Sequence, residues 1–341
     1  MNCKGSTYFV LMTMLVLYLS SGTCLAHMDK HRLQIVPLAT AGPEYGFLSP
    51  EVISPEKGTT LHLKDIFLGR CWDYQCGFNR ATCDTSNLKN CTRLWELFQA
   101  AFTYRDPCNV THDMYEPFSQ AAMQPVAVNK ILFWSGTYYL AHTYASETRR
   151  FTTLEDTLPG YLLKMLVWCG QVDYPGINYD SCSGDCFERA QDAFWGTVSA
   201  NFAKQARGVA TVMLNGSRET GAFRNDSFFA KYEFPNLDRT KVTSINIVII
   251  HSLDVPKVES CGEGSVLALQ KLLQGRGFKY ECVDDPDAIH YILCSENPES
   301  RDCKAWQLSM CDTNVAATKP ISGVLVLMAM AFHLLSSMIA L

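Results

Sequence analysis

Three acids and two tryptophans in this sequence, Glu155, Asp156, Glu233, Trp134 and Trp195, have side chains able to do chemistry together. A carboxylate held away from water stabilises a developing cation, and a tryptophan face stacks on a flat ring and excludes solvent. Each also has an ordinary structural reading. Glu233 precedes Phe234-Pro235 and reads equally as a solvated charge before a turn. Trp134 in LFWSG and Trp195 in AFWGTVS read as core aromatics. Glu155-Asp156 lies at a helix start, where Thr153 and Asp156 have the spacing of a capping box, with Asp in the place of the usual Glu. Other enzyme signatures are absent: there is no G-x-S-x-G elbow, no H-E-x-x-H and no P-loop. Gly262-Glu263-Gly264 lacks the third glycine of a dinucleotide fingerprint and reads as a helix start.

Apolar spacing predicts the elements that must carry these residues. Residues 94–102, 127–145, 158–168 and 187–206 have the period of amphipathic helices, which places both tryptophans on helices. After residue 209 the texture changes. Strand-length, β-branched or apolar runs lie at 209–214, 245–251, 278–283 and 288–294, with a helix at 264–274 between them. Strand–helix–strand order implies a parallel sheet. The expected fold is therefore α+β to α/β, with a mostly helical N-terminal lobe (65–208) packed on a small lobe with a parallel sheet (209–304). The active-site cleft is expected between them.

Both ends read as processing signals. Residues 1–26 carry an apolar run and a small-residue cleavage site, so a signal peptide is expected there, followed by a proline-bearing stalk over 27–64. Residues 305–341 are a polar spacer and an uncharged apolar tail, the pattern of a signal exchanged for a GPI anchor, with a single membrane span as the alternative. Of the 15 cysteines, Cys3 and Cys24 fall in the leader, and Cys311 sits beside the anchor junction. The remaining twelve read as six disulfides in an oxidising compartment, with no Cys-x-x-Cys or histidine pair to suggest a metal. Sequons at Asn90, Asn109, Asn215 and Asn225 agree with a glycosylating route to the cell surface. A net charge of −5 without a basic run excludes nucleic acid as a partner, and no feature fixes an oligomeric state.

Taken in order, the segments FTTLEDTLPGYLLKMLVWCG (151–170), FWGTVS (194–199), VMLNGS (212–217) and SFFAKYE (227–233) resemble the ADP-ribosyl cyclase / NAD glycohydrolase family. Its members are ectoenzymes that cleave the nicotinamide–ribose bond of NAD. The match spans about residues 71–303. It implies NAD or NADP as substrate rather than cofactor, Glu233 as the catalytic carboxylate, and Trp134 and Trp195 flanking the substrate. It also implies that Glu155 reads the nicotinamide carboxamide, with Asp156 beside it, and that Ser135 and Ser199 lie near the phosphates. Phe229 matches a site aromatic, and Phe228 a position linked to the choice between cyclising and hydrolysing. The implied disulfides are Cys71–Cys91, Cys108–Cys186, Cys169–Cys182, Cys261–Cys282 and Cys294–Cys303, leaving Cys76 and Cys83 to pair with each other. Three departures stand out. Val128 and Arg207 replace a further cysteine pair, Gly136 stands where some members carry a phosphate-binding arginine, and Lys164 where some carry an aspartate near the nicotinamide. A nearly pure NAD glycohydrolase, or a catalytically weak surface receptor on the same fold, are the alternative readings.

Overall fold

The computed structural model describes residues 58–77, 83, 85–182 and 186–317. The expected leader, most of the stalk and the apolar C-terminal tail lie outside these residues. Among the described residues, no helix is long and apolar enough to cross a membrane. Residues up to Ser300 belong to one compact unit, and the helix Arg301–Ala317 belongs to another. That helix begins inside the segment expected as the α/β lobe (209–304) and runs on into the one expected as a spacer (305–341).

Helix α1 (Leu63–Cys76) starts where the stalk was expected to end. The residues before it are already stitched to the body: Thr59 is buried, and Thr59 and Thr60 N–H donate to the Asn178 and Val167 carbonyls, each at 2.9 Å. Helix α2 (Cys91–Phe102) begins at Asn90, whose Oδ1 accepts the Arg93 N–H at 3.0 Å. It buries Leu94, Trp95, Phe98, Ala101 and Phe102 along one stripe. Helix α3 (His112–Ala122) and helix α6 (Phe187–Ala203) pack against it around a single aromatic centre. Phe98 is that centre, with ring centroids 5.2 Å from Trp168, 5.1 Å from Phe102, 5.7 Å from Phe118 and 5.8 Å from Phe194. Trp168 Nε1 donates to the Tyr115 hydroxyl at 2.9 Å, which satisfies the polar handles of two buried rings.

Three expected elements come out differently. Residues 127–145 do not form one helix: Leu132–Ser135 is strand β1 and Tyr138–Thr148 is helix α4. Gly136 separates them at φ 72°. The helix expected at 158–168 is only Leu158–Leu163 (α5). Arg70 Nη1 takes the Leu162 and Lys164 carbonyls at 3.1 and 2.8 Å, and Met165 turns to φ 60°, so the helix ends there. The run expected as a strand at 288–294 is a helix, α8 (Asp287–Glu296), entered from Pro286 and burying Ile289 and Leu293 one turn apart.

The remaining strands fall as expected: β2 (Gly208–Asn215), β3 (Val242–Ile250) and β4 (Lys279–Asp284), with helix α7 (Gly264–Gly275) between the last two. The sheet has order β1-β2-β3-β4 and is parallel throughout. Ile245, Ile247 and Ile249 alternate with Val248 and Ile250, so one face meets the large helical core and the other a smaller cluster with α4 and α8. Burial on both faces is what a parallel sheet requires. The bonds Cys71–Cys91, Cys76–Cys83, Cys108–Cys186, Cys169–Cys182 and Cys261–Cys282 form, and Cys294 and Cys303 are also disulfide-bonded. The segments holding Val128 and Arg207 are neighbours, joined by a 3.0 Å bond from Asn129 N–H to the Arg207 carbonyl.

Truncating Phe98 to Ala removes the ring on which seven aromatic neighbours rest. The expected loss is about 3–5 kcal/mol, read by denaturant unfolding with the disulfides intact.

Candidate active site

Glu233 ends a short π-helical segment, Phe229–Glu233, that precedes Phe234-Pro235. Such segments widen a helix by one residue and re-aim side chains, often at functional sites. Local anchors fix it. Ser227 Oγ accepts the Ala230 N–H at 3.2 Å, and Arg276 Nη1 donates to the Phe234 carbonyl at 2.7 Å. The Tyr232 hydroxyl donates to Asp192 Oδ2 on α6 at 3.0 Å. Gly196 lets α6 approach this closely, because a Cβ there would fall 2.6 Å from the His112 ring and 2.9 Å from the Tyr232 ring.

The Glu233 side chain is buried at 6% exposure. The Ser199 hydroxyl, also buried, bonds its carboxylate, but Oε2 has no hydrogen-bond partner among the described residues. Burial, and then the nearby charge of Glu155, push its pKa well above the usual carboxylate range, with Ser199 opposing them. Trp195 lies one turn before Ser199 on the same face of α6 and is half-buried.

Glu155 comes from a different element, the 3-10 turn Leu154–Asp156. Its Oε2 accepts from Trp134 Nε1 at 3.3 Å and lies 3.5 Å from His142 Nε2. Asp156 takes the structural role that the spacing suggested: its Oδ2 accepts the Thr153 N–H at 2.8 Å and the Thr153 hydroxyl at 2.9 Å. Its side chain therefore caps the turn, while Glu155 faces Trp134. The Thr153 hydroxyl gives its proton to Asp156, so its oxygen is left to accept from His142 Nδ1 at 3.2 Å. Tyr138 stacks edge-on against both Trp134 and His142, with centroids at 5.3 and 4.2 Å. Burial, chiefly, with Glu155 nearby, holds its pKa up at about 12, so it stays a neutral phenol.

Trp134 is on β1, not on a helix, and Ser135 is the buried last residue of that strand. Ser135 therefore marks the C-terminal edge of the parallel sheet, where open α/β folds place ligands. Phe228 is 38% exposed and rests 5.3 Å from the Tyr232 ring. Phe229 is fully buried against Phe133, Phe223 and Phe234, so it backs the site instead of facing it. Lys164 stacks on Tyr161 at 4.7 Å. Asn90, Asn109 and Asn225 are exposed, as sequons must be. Asn215 is buried, its Nδ2 on the Gly136 carbonyl and its Oδ1 on the Ser217 N–H, so it presents its amide to the backbone, against expectation. Tyr138 and His142 carried no signal in the sequence beyond their positions four and eight residues after Trp134. A cavity of about 240 Å³ on the sheet's other face, lined in part by Tyr144, Phe151, Met213 and Val248, includes none of the site residues.

The family model described as ADP-ribosyl cyclase matches residues 60–303. An ADP-ribosyl cyclase/cyclic ADP-ribose hydrolase of Aplysia kurodai is 42% identical over 258 residues, covering 74% of this chain and 90% of that one. ADP-ribosyl cyclase/cyclic ADP-ribose hydrolase 2 of Homo sapiens is 40% identical over 249 residues, with 72% and 77% covered. Among solved structures, Aplysia cyclase complexed with substrate NGD and product cGDPR superposes with a TM-score of 0.67 at 42% identity, over 72% of this chain and 98% of that one. CD38, described with a covalent enzyme-substrate complex, superposes with a TM-score of 0.61 at 35% identity, over 67% and 93%. With its parallel sheet, its disulfide frame and its buried glutamate, the chain belongs to the ADP-ribosyl cyclase family and is an enzyme of it.

Because the folded-state pKa of Glu233 is raised, the protonated acid is favoured by folding. That contribution is complete below the unfolded value, about 4.3, and is lost as pH rises through the folded pKa. At pH 8, Glu233→Gln is therefore expected to be more stable than wild type by about 1–3 kcal/mol, and the gap closes near pH 4. Thermal melts across pH check this.

Proposed function

We propose that this chain cleaves the nicotinamide–ribose bond of NAD and releases nicotinamide with cyclic ADP-ribose, ADP-ribose or both. The observation that carries the reading is the buried Glu233 carboxylate with one oxygen unspent, bonded by Ser199 and within electrostatic reach of Glu155. The nicotinamide of NAD is a pyridinium. When the ribose C1′–N bond breaks, the electron pair goes to nitrogen and the ring leaves neutral, so no acid is needed to protonate it. The sugar is left as an oxocarbenium-like cation. Glu233 supplies the negative charge facing that cation, and the cationic substrate itself favours ionising the acid. Trp134 and Trp195 stack on and enclose the flat ring. Glu155, held by Trp134 Nε1, faces the carboxamide.

The cation then has three fates. Attack by an adenine ring nitrogen of the same molecule closes the cyclic product. Attack by water, with loss of a proton, gives ADP-ribose. Attack by another pyridine base, such as nicotinic acid on NADP, gives exchange. Phe228 is exposed above the Tyr232 ring, where it can hold the adenine near the ribose. The reaction uses no cofactor, NAD being the substrate. The twelve disulfide-bonded cysteines, the exposed sequons and the uncharged tail support an enzyme at the extracellular face, held by a GPI anchor.

Nicotinamide release from NAD by the disulfide-intact ectodomain tests the reading. Release is expected in wild type and a loss of at least 100-fold in Glu233→Gln; release at the wild-type rate in that variant contradicts it. Phe228→Thr is expected to shift products toward ADP-ribose, read by chromatography. The kcat/KM profile carries the sign of each neighbour. Glu155→Gln removes a like charge and moves the Glu233 limb to lower pH, whereas Ser199→Ala removes a bond to the ionised form and moves it higher.

A further inference from the structure

Beside the site stands a cation that no described residue neutralises by contact. Arg218 lies just after β2, three residues beyond Asn215. Its side chain crosses to the end of β1 and lies over Gly136. A Cβ built on that glycine would sit 2.8 Å from Arg218 Nη1, 3.1 Å from Cδ and 3.2 Å from Cζ. Gly136 is favoured there by its φ of 72°, and the guanidinium fills the space beside it. The Gly136 carbonyl is pinned to β2 by Asn215 Nδ2 at 3.3 Å, so the two strand ends and the arginine form one small frame.

Among the described residues, no hydrogen bond or ion pair engages the Arg218 guanidinium. The charges facing it are Arg224 and Asp226, and Arg224 Nε already lies 3.6 Å from Asp226 Oδ1. Burial, and then Arg224, lower the Arg218 pKa, and Asp226 only partly offsets them. A half-buried guanidinium beside a second arginine, at the C-terminal edge of a parallel sheet, suits an anion.

We propose that Arg218 holds the diphosphate of the dinucleotide, placing it over Gly136 and beside Ser135. The inference deepens the reading of the chain as an NAD-cleaving enzyme and rests on it. Position selects the diphosphate over the adenosine 2′-phosphate of NADP. Gly136 is two residues from Trp134, and in NAD one ribose separates the nicotinamide from the diphosphate, whereas the 2′-phosphate lies on the far ribose. The planar fork of arginine grips two phosphate oxygens at once, which a lysine does not.

The test is calorimetric binding of ADP-ribose, inorganic pyrophosphate and nicotinamide riboside to wild type, Arg218→Met and Arg218→Lys, with KM for NAD and NADP alongside. Arg218→Met is expected to weaken ADP-ribose and pyrophosphate by about 10-fold or more, to raise both KM values by a similar factor, and to change nicotinamide riboside, which has no phosphate, by less than two-fold. Arg218→Lys keeps the stem that packs on Gly136 and recovers part of the loss. Wild-type affinity for ADP-ribose and pyrophosphate in Arg218→Met overturns the proposal, as does a loss confined to NADP. Binding needs no turnover, so a wild type that fails to release nicotinamide counts against the NAD-cleaving reading while the arginine is still measured.

Discussion

A carboxylate kept out of water with one oxygen unpaired is the constraint on which the rest of this structure depends. Glu233 gains almost nothing for the fold: its burial is unfavourable to the charged form, and Glu155 adds to the strain. What holds it is everything around it. The π-helical segment aims it, the Ser199 hydroxyl gives it one bond, and Arg276 clamps the turn behind it. Tyr232 and Phe229 fix the segment to α6 and to the aromatic core. A site of this kind trades stability for a negative charge that becomes favourable only when a cation arrives.

Two independent elements deliver the other half of the site. β1 presents Trp134 and Ser135 at the sheet edge, and the 3-10 turn presents Glu155, with Asp156 spent on holding the turn. The Trp134–Glu155 bond ties these elements together, and His142 and Tyr138 brace it from α4. The fold thus separates two tasks between neighbouring acids: one caps, the other faces the ring.

Much of this was legible in the sequence, and the failures have physical causes. The strands after residue 208 and the helix between β3 and β4 were readable because β-branched runs and a glycine-ended amphipathic run leave little choice. β1 was not, because four large apolar residues followed by an amphipathic helix imitate one long helix, and only the positive φ of Gly136 separates them. The strand expected at 288–294 failed for the converse reason: seven mixed apolar residues fit either period, and Pro286 with the i, i+4 burial of Ile289 and Leu293 decides for a helix. Family motifs pointed to Glu233, Glu155 and both tryptophans. They did not point to Arg218, His142 or Tyr138, whose contacts arise from approach in space. They also placed Phe229 at the site when it packs behind it.

The carbon-13 NMR titration of the Glu233 carboxyl, assigned by its absence in Glu233→Gln, tests the central claim most directly. A midpoint well above the ordinary glutamate value of about 4.3 is expected in the free enzyme, falling when a nicotinamide-bearing ligand binds. A midpoint at or below that value would contradict a buried, charge-starved acid and leave the site without its organising feature.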